Sequence, residues 1–236
     1  VKSFEGTNMN YMGGKHRQGK KIASFINKVV NEGVVYYEPF CGALGVARWV
    51  EADVKHLSDV SEALINMWKA LQDPSLELPD VVTEDEYNTI KRTKDPKDWR
   101  TAYVGFGMSF GSRWFRGYAR NGKGRNYALN LKRSTNLKRS TIYENVFFDH
   151  ISYESVEAPP GSVIYCDPPY FGRTKAHNFD AFDHNKFWEW CRLQVKRGCI
   201  VLVTEFVVPD DFVVLHNFGD TVVRHHKGKG ADGTSE

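Results

Sequence analysis

Apolar and polar positions along the chain follow two periods in turn. Lys20 to Asn31 places Ile22, Phe25, Ile26 and Val29 at helical spacing, with Gly33 as its stop. Val34 to Glu38 is β-branched and aromatic, so it predicts a strand; it ends at Pro39 and passes through the turn Phe40-Cys41-Gly42-Ala43-Leu44-Gly45 into a predicted helix, Val46 to Ala52. Val54 to Leu57 predicts a short strand leading to Asp59, and Glu62 to Leu71 a helix halted by Pro74. From Pro74 to about Glu144 the periodicity fades among basic, glycine and aromatic residues. It resumes at Val146-Phe147-Phe148, then as a buried strand Val163 to Cys166, a helix His184 to Lys196 and a strand Cys199 to Thr204. Strands alternating with helices predict an α/β fold with a parallel sheet. The sheet domain is expected to use residues 1–75 and 145–236, with 76–144 as an inserted module.

Length and composition agree with one such core. The chain has 236 residues, 41% hydrophobic and 26% charged, which is globular composition. Its net charge of +3 conceals a strong asymmetry. Lys91 to Arg139 holds 14 basic residues against Asp95 and Asp98, which leaves 18 basic and 27 acidic residues elsewhere. Such a segment suits a polyanion, and Trp99, Tyr103, Trp114, Phe115, Tyr118 and Tyr127 lie among its charges as candidate stacking rings. Arg113, Arg116, Arg120, Lys123 and Arg125 are the candidate nucleic-acid contacts, undivided between phosphate and base. Asn130 to Thr135 is repeated verbatim at Asn136 to Thr141, too short a period for a solenoid. Cys41, Cys166, Cys191 and Cys199 show no C-x-x-C spacing and read as reduced thiols. With no apolar run long enough to span a bilayer and no leader segment evident, a soluble cytoplasmic protein is expected. No metal is expected, since no His/Cys/Asp cluster has ligand spacing.

One tetrapeptide carries chemistry. Asp167-Pro168-Pro169-Tyr170 directly follows the strand Val163 to Cys166, which puts it at the carboxyl end of a sheet strand, where open α/β folds hold ligands. Two prolines could simply end a strand, but that leaves an acid before them and an aromatic after them unexplained. A carboxylate and a backbone carbonyl side by side offer two acceptors to one amine, and an adjacent ring offers a stacking surface for a flat base. Glu38 and Asp59 each admit a helix-cap or turn role when taken alone.

Taken in order, these segments resemble Dam-type DNA adenine methyltransferases of the alpha group, especially short phage-encoded members, along nearly the whole chain. Tyr11-Met12-Gly13-Gly14-Lys15 is similar to the family's N-terminal cofactor motif, and Glu38-Pro39-Phe40-Cys41-Gly42 to its glycine-rich motif. Asp59 matches the acid after the second strand and Asp149 an acid before the catalytic strand. Gly117-Tyr118-Ala119-Arg120 and Gly124-Arg125-Asn126-Tyr127 resemble the target-recognition segment, and Thr204-Glu205-Phe206 with Pro209-Asp210-Asp211 the strand and loop after the catalytic centre. One departure stands out: Leu44 occupies the usual place of the second glycine, and Gly45 follows.

The resemblance implies a Rossmann-like S-adenosylmethionine-dependent methyltransferase fold with an inserted basic target-recognition module, acting on double-stranded DNA. It implies cofactor contacts from Tyr11, Gly13, Lys15, Glu38, Phe40, Gly42, Asp59, Asp149, the His150 backbone and Asp167, with Gly42 and Gly45 letting the backbone approach the cofactor and Lys15 pairing with its carboxylate or reaching DNA. In this reading Asp167 and the Pro168 carbonyl accept the two N6 hydrogens of a flipped adenine while Tyr170 stacks on the base. GATC is the family's habitual site. Methylation of cytosine N4, which is also a conjugated exocyclic amine, and a catalytically silent DNA-binding module on the same fold are the competing readings. A dinucleotide oxidoreductase fits less well, because a complete G-x-G-x-x-G is absent.

Overall fold

The β-branched and aromatic runs assemble into one sheet. The structure, a computed structural model, describes residues 14–120, 126–136, 145–171 and 182–218, with only the backbone of 134–136. Five parallel strands, β1 (Val35–Glu38), β2 (Val54–Asp59), β3 (Val146–His150), β4 (Val163–Cys166) and β5 (Ile200–Val203), lie in the order β3-β2-β1-β4-β5. The order reverses between β1 and β4. A crevice forms at such a switch point beyond the carboxyl ends of the strands, and Glu38, Asp59, His150 and Cys166 are those ends.

The pleat sorts the side chains. Tyr36, Glu38, Lys55, Leu57, Val146 and Phe148 are buried on one face, where α2 (Glu62–Leu71) packs and Trp68 stacks on Phe148. On the other, α6 (His184–Lys196) packs on β5 and buries Cys191. On that second face Tyr37, His56 and Phe147 face one another across β1, β2 and β3 in a near-parallel ring ladder, with centroids 4.8 and 5.0 Å apart. The four cysteines are buried and unpaired. Among the described residues, no helix is long and apolar enough to cross a membrane.

Two predicted helices are shorter than expected. The periodicity over Lys20 to Asn31 becomes α1 (Gly19–Ile26), because the Asn27 side chain leaves the helix to bond the Trp49 carbonyl and the Glu51 N–H. Val46 to Ala52 is a single 3-10 turn, Ala47–Trp49, followed by extended Val50. Leu44 enters this turn in the left-handed region, β-branched Val46 and Val50 disfavour helix, and little chain remains before β2 begins.

The segment after Pro74 departs from expectation the other way. It contains three helices, α3 (Glu84–Thr93), α4 (Arg100–Gly107) and α5 (Tyr127–Asn136). α3 is almost wholly polar, so no apolar stripe announced it, yet it begins in a capping box in which Thr83 and Glu86 exchange side-chain and backbone bonds. In α4 the glycines that suggested a loop are close-packing positions: a Cβ on Gly105 would lie 2.7 Å from the Trp114 ring, and one on Gly107 2.6 Å from Leu131. The aromatic residues of the segment are mostly core. Tyr103 and Phe115 are buried, and Trp99, Trp114, Tyr118 and Tyr127 pack against the same cluster that contains Trp68 and Leu57. Burial of Tyr103 and Phe115 corrects their reading as base-stacking candidates, while the other four rings are half-buried and Phe110 is exposed. The first copy of the six-residue repeat ends within α5, and the second lies outside the described residues apart from Asn136.

Residues 207–218 belong to a second, smaller unit. There the Phe212 N–H closes a turn onto the Pro209 carbonyl, and Val213, Val214 and Leu215 are exposed.

Candidate active site

At the end of β4, Asp167 gathers donors from three parts of the chain. Lys15 Nζ lies 2.7 Å from each carboxylate oxygen, Thr204 Oγ1 donates to Oδ1 at 2.8 Å, and the Tyr170 hydroxyl donates to Oδ1 at 2.9 Å. Lys15 Nζ also sits 4.6 Å from the centroid of the Tyr170 ring, and Phe206 meets that ring edge-on. Burial and the neighbouring Asp167 push the Tyr170 phenol well up, so it stays a donor. Behind Thr204, the buried Tyr165 hydroxyl lies 3.0 Å from Oγ1. Next in the chain, Glu205 accepts the Phe171 N–H at 2.6 Å, which ties the residue after the tetrapeptide to the end of β5. Burial raises the Glu205 carboxyl, and the Phe171 N–H partly offsets it.

The neighbouring strands contribute further acids. Glu38 is 2% exposed and accepts the Tyr36 hydroxyl at 2.5 Å. Burial pushes its carboxyl up to about 8 against the pull of that hydrogen bond, and Asp167 adds to the rise. Asp59 performs the turn role: it accepts the Gly42 N–H at 3.1 Å and the Ser61 N–H at 2.9 Å, while burial raises its carboxyl. Gly42 has φ +45°, and its carbonyl accepts the Trp68 indole at 2.9 Å. Asp149 and His150 end β3 beside Asp59, Asp149 exposed and the His150 ring bonded to the Val60 carbonyl at 3.1 Å. Phe40 stacks on Tyr153 and meets Phe182 and Phe187 edge-on.

The structure thus brings Lys15, Glu38, Phe40, Gly42, Asp59, Asp149, His150, Asp167, Pro168, Pro169 and Tyr170 to the carboxyl ends of four neighbouring strands or the segments flanking them. Tyr11, Gly13, Lys123 and Arg125 lie outside the described residues. Arg113 and Arg116 are exposed, while the Arg120 guanidinium is engaged by Glu84 at 2.5 and 3.0 Å. At Gly45 a Cβ would meet the Lys15 backbone nitrogen at 2.9 Å, so the missing side chain seats Lys15. Sequence reasoning missed Tyr36, Tyr165 and the role of Thr204. Polar tips on otherwise apolar strands were the available signal, since a buried hydroxyl needs a partner.

This arrangement can hold an amine against a carboxylate beside an aromatic ring, with buried acids near a glycine turn for a cationic ligand. Among the described residues no His/Cys/Asp/Glu group could bind a metal. A search of curated proteins found none that matches the chain. The family model for D12 class N6 adenine-specific DNA methyltransferases matches residues 11–104 and 111–214, which include the glycine turn, the acids at the strand ends and the tetrapeptide. The chain therefore belongs to the D12 class of N6 adenine-specific DNA methyltransferases.

Proposed function

We propose that this enzyme, a Dam-type and phage-like member of its class, transfers the methyl group of S-adenosylmethionine to N6 of an adenine flipped out of duplex DNA. Family membership sets aside cytosine N4 as the target amine and a silent binding module as the role. The observation that carries the proposal is the position of Asp167 at the switch point, with Glu38 and Asp59 at the ends of the two strands on the other side.

The residues fit such a cofactor. Glu38 is a buried acid whose proton is retained to about pH 8, and a cationic amino group beside it would offset the burial that raises it. Each Asp59 oxygen already accepts one backbone N–H, which leaves acceptor capacity for a diol. Gly42 carries no Cβ in the turn between these two acids. Asp149 is an exposed acceptor at the end of β3 for an aminopurine edge. S-adenosylmethionine would supply an electrophilic sulfonium methyl group.

The N6 lone pair of adenine is delocalised into the ring. Accepting both N6 hydrogens, at Asp167 and the Pro168 carbonyl, aims that lone pair at a methyl carbon and stabilises the charge developing on nitrogen. Tyr170 would stack on the extruded base, offsetting part of an unstacking cost of a few kcal/mol. Lys15 now lies against both Asp167 and the Tyr170 ring, so it vacates this place when the target enters. We assign target recognition to residues 76–144, with the exposed Arg113 and Arg116 as DNA contacts.

The test is to incubate duplex DNA with the enzyme and S-adenosylmethionine, digest it to nucleosides and separate them by mass. N6-methyladenine is the expected product, and N4-methylcytosine would refute the assignment. Asp167→Ala is expected to lose methyl transfer by at least about a thousandfold while retaining cofactor binding by calorimetry. A fully active Asp167→Ala enzyme would remove Asp167 from the mechanism.

A further inference from the structure

The two oxygens of Asp167 are unequally occupied. Oδ1 accepts from Thr204 and Tyr170 in addition to Lys15, whereas among the described residues Oδ2 accepts only from Lys15. A carboxylate oxygen presents about two lone pairs, so Oδ1, with three donors around it, has no capacity left, whereas Oδ2 has room for another donor. Thr204 has one hydroxyl hydrogen. If it points to Asp167, the oxygen 3.0 Å away on Tyr165 must be the donor of their shared bond. Tyr165 is itself 1% exposed, packed within the core, so this hydroxyl pair has little freedom to turn.

We propose that Thr204, backed by Tyr165, is a positioning residue that fixes the rotation of the Asp167 carboxylate, so that Oδ2 is the oxygen offered to the target amine. Lys15 Nζ, 2.7 Å from both oxygens, now lies across the acceptor face that the amine takes at Oδ2. The inference rests on the reading of Asp167 as the amine acceptor and adds which oxygen acts and what orients it. Without Thr204 the carboxylate swings about its Cα–Cβ and Cβ–Cγ bonds, and the amine finds an acceptor that is present but misaligned. The loss belongs to the chemical step, because ground-state contacts elsewhere are untouched.

The experiment measures single-turnover methylation of duplex DNA by full-length Thr204→Val, Thr204→Ser and Tyr165→Phe, alongside Asp167→Ala. Thr204→Val keeps the shape and removes the hydroxyl, and is expected to slow the chemical step by about 10- to 100-fold, the effect of one hydrogen bond to a charged group. Thr204→Ser restores the hydroxyl and is expected to recover to within about threefold of wild type, which a purely packing role for the threonine methyl would not produce. Cofactor affinity by calorimetry should stay within about twofold throughout. A wild-type rate for Thr204→Val, or an equal loss in Thr204→Ser, overturns the proposal. If Thr204→Val fails to fold, Tyr165→Phe decides, with a rate indistinguishable from wild type counting against the relay. An active Asp167→Ala enzyme would defeat the underlying reading, a separate result from normal Thr204 variants beside an inactive Asp167→Ala.

Discussion

Glu38 holds a proton far above the range in which an exposed glutamate gives it up. Its carboxyl is raised from 4.5 to about 8 by burial, so the folded protein keeps a proton that the unfolded chain has lost across that interval. The sign follows from linkage: the stability associated with this group is full below pH 4.5 and declines as pH rises through 8, because ionisation favours the unfolded chain. Glu38→Gln cannot ionise. Its melting temperature is expected to match wild type near pH 5 and to exceed it at pH 8, and an offset that stays constant between these two pH values would refute the shift. The tetrapeptide was legible in sequence because it directly follows an apolar strand, whereas Glu38, Asp59 and Asp149 stood out only through the order of motifs in the resemblance. The role of Thr204 was not legible. Its partner Asp167 lies 37 residues away, and only the pairing of β4 with β5 makes the contact.

Strands and two of the helices were legible at the scale of elements because burial imposes a period on them. α2 and α6 span the predicted residues, and all five strands were found to within two residues at their ends. The three helices after Pro74 were hidden for two different reasons. α3 draws its definition from its ends: a capping box, three acids in the first turn and Lys91 and Arg92 in the last, all favourable to the helix dipole. α4 carries glycines whose purpose appears only when the rings of Trp114 and Phe115 are in place against Gly105. Thr83→Ala should therefore cost about 1 kcal/mol, seen as a lower urea midpoint with the methylation rate at 25 °C unchanged. No change in the midpoint would show that tertiary packing alone sustains α3.

At the scale of the molecule, charge is segregated. The excess of basic residues between Lys91 and Arg139 faces a remainder that is net acidic, which draws a polyanion to one region and discourages it elsewhere. Internal pairing reduces the cations on offer, since Arg100 is held by Asp98, Arg120 by Glu84 and Lys132 by Asp80. Among the described residues, Arg113 and Arg116 have no ion pair of this kind. Replacing both with alanine is expected to weaken DNA binding across sequences and to reduce the slope of log affinity against log salt by about 2, roughly one per lost phosphate contact. Anisotropy titrations at several salt concentrations would measure it, with an unchanged slope assigning both side chains elsewhere. The sequence pattern anticipated the charge but not its pairing, because Glu84 and Asp80 precede the basic run and meet it only through the packing of α3 and α5.

Tyr87, Tyr103, Phe115 and Leu131 share one continuous cluster with Trp68 and Leu57 of the sheet layer. For a lineage of such enzymes this is a constraint on inheritance. A segment with its own core could be exchanged between relatives as a cassette and bring a new recognition site with it. Here a transplanted segment would have to match the recipient's core ring by ring, so, if residues 76–144 recognise the target as proposed, the outer surface of these helices and their loops is where replacements can alter specificity while the interior stays unchanged.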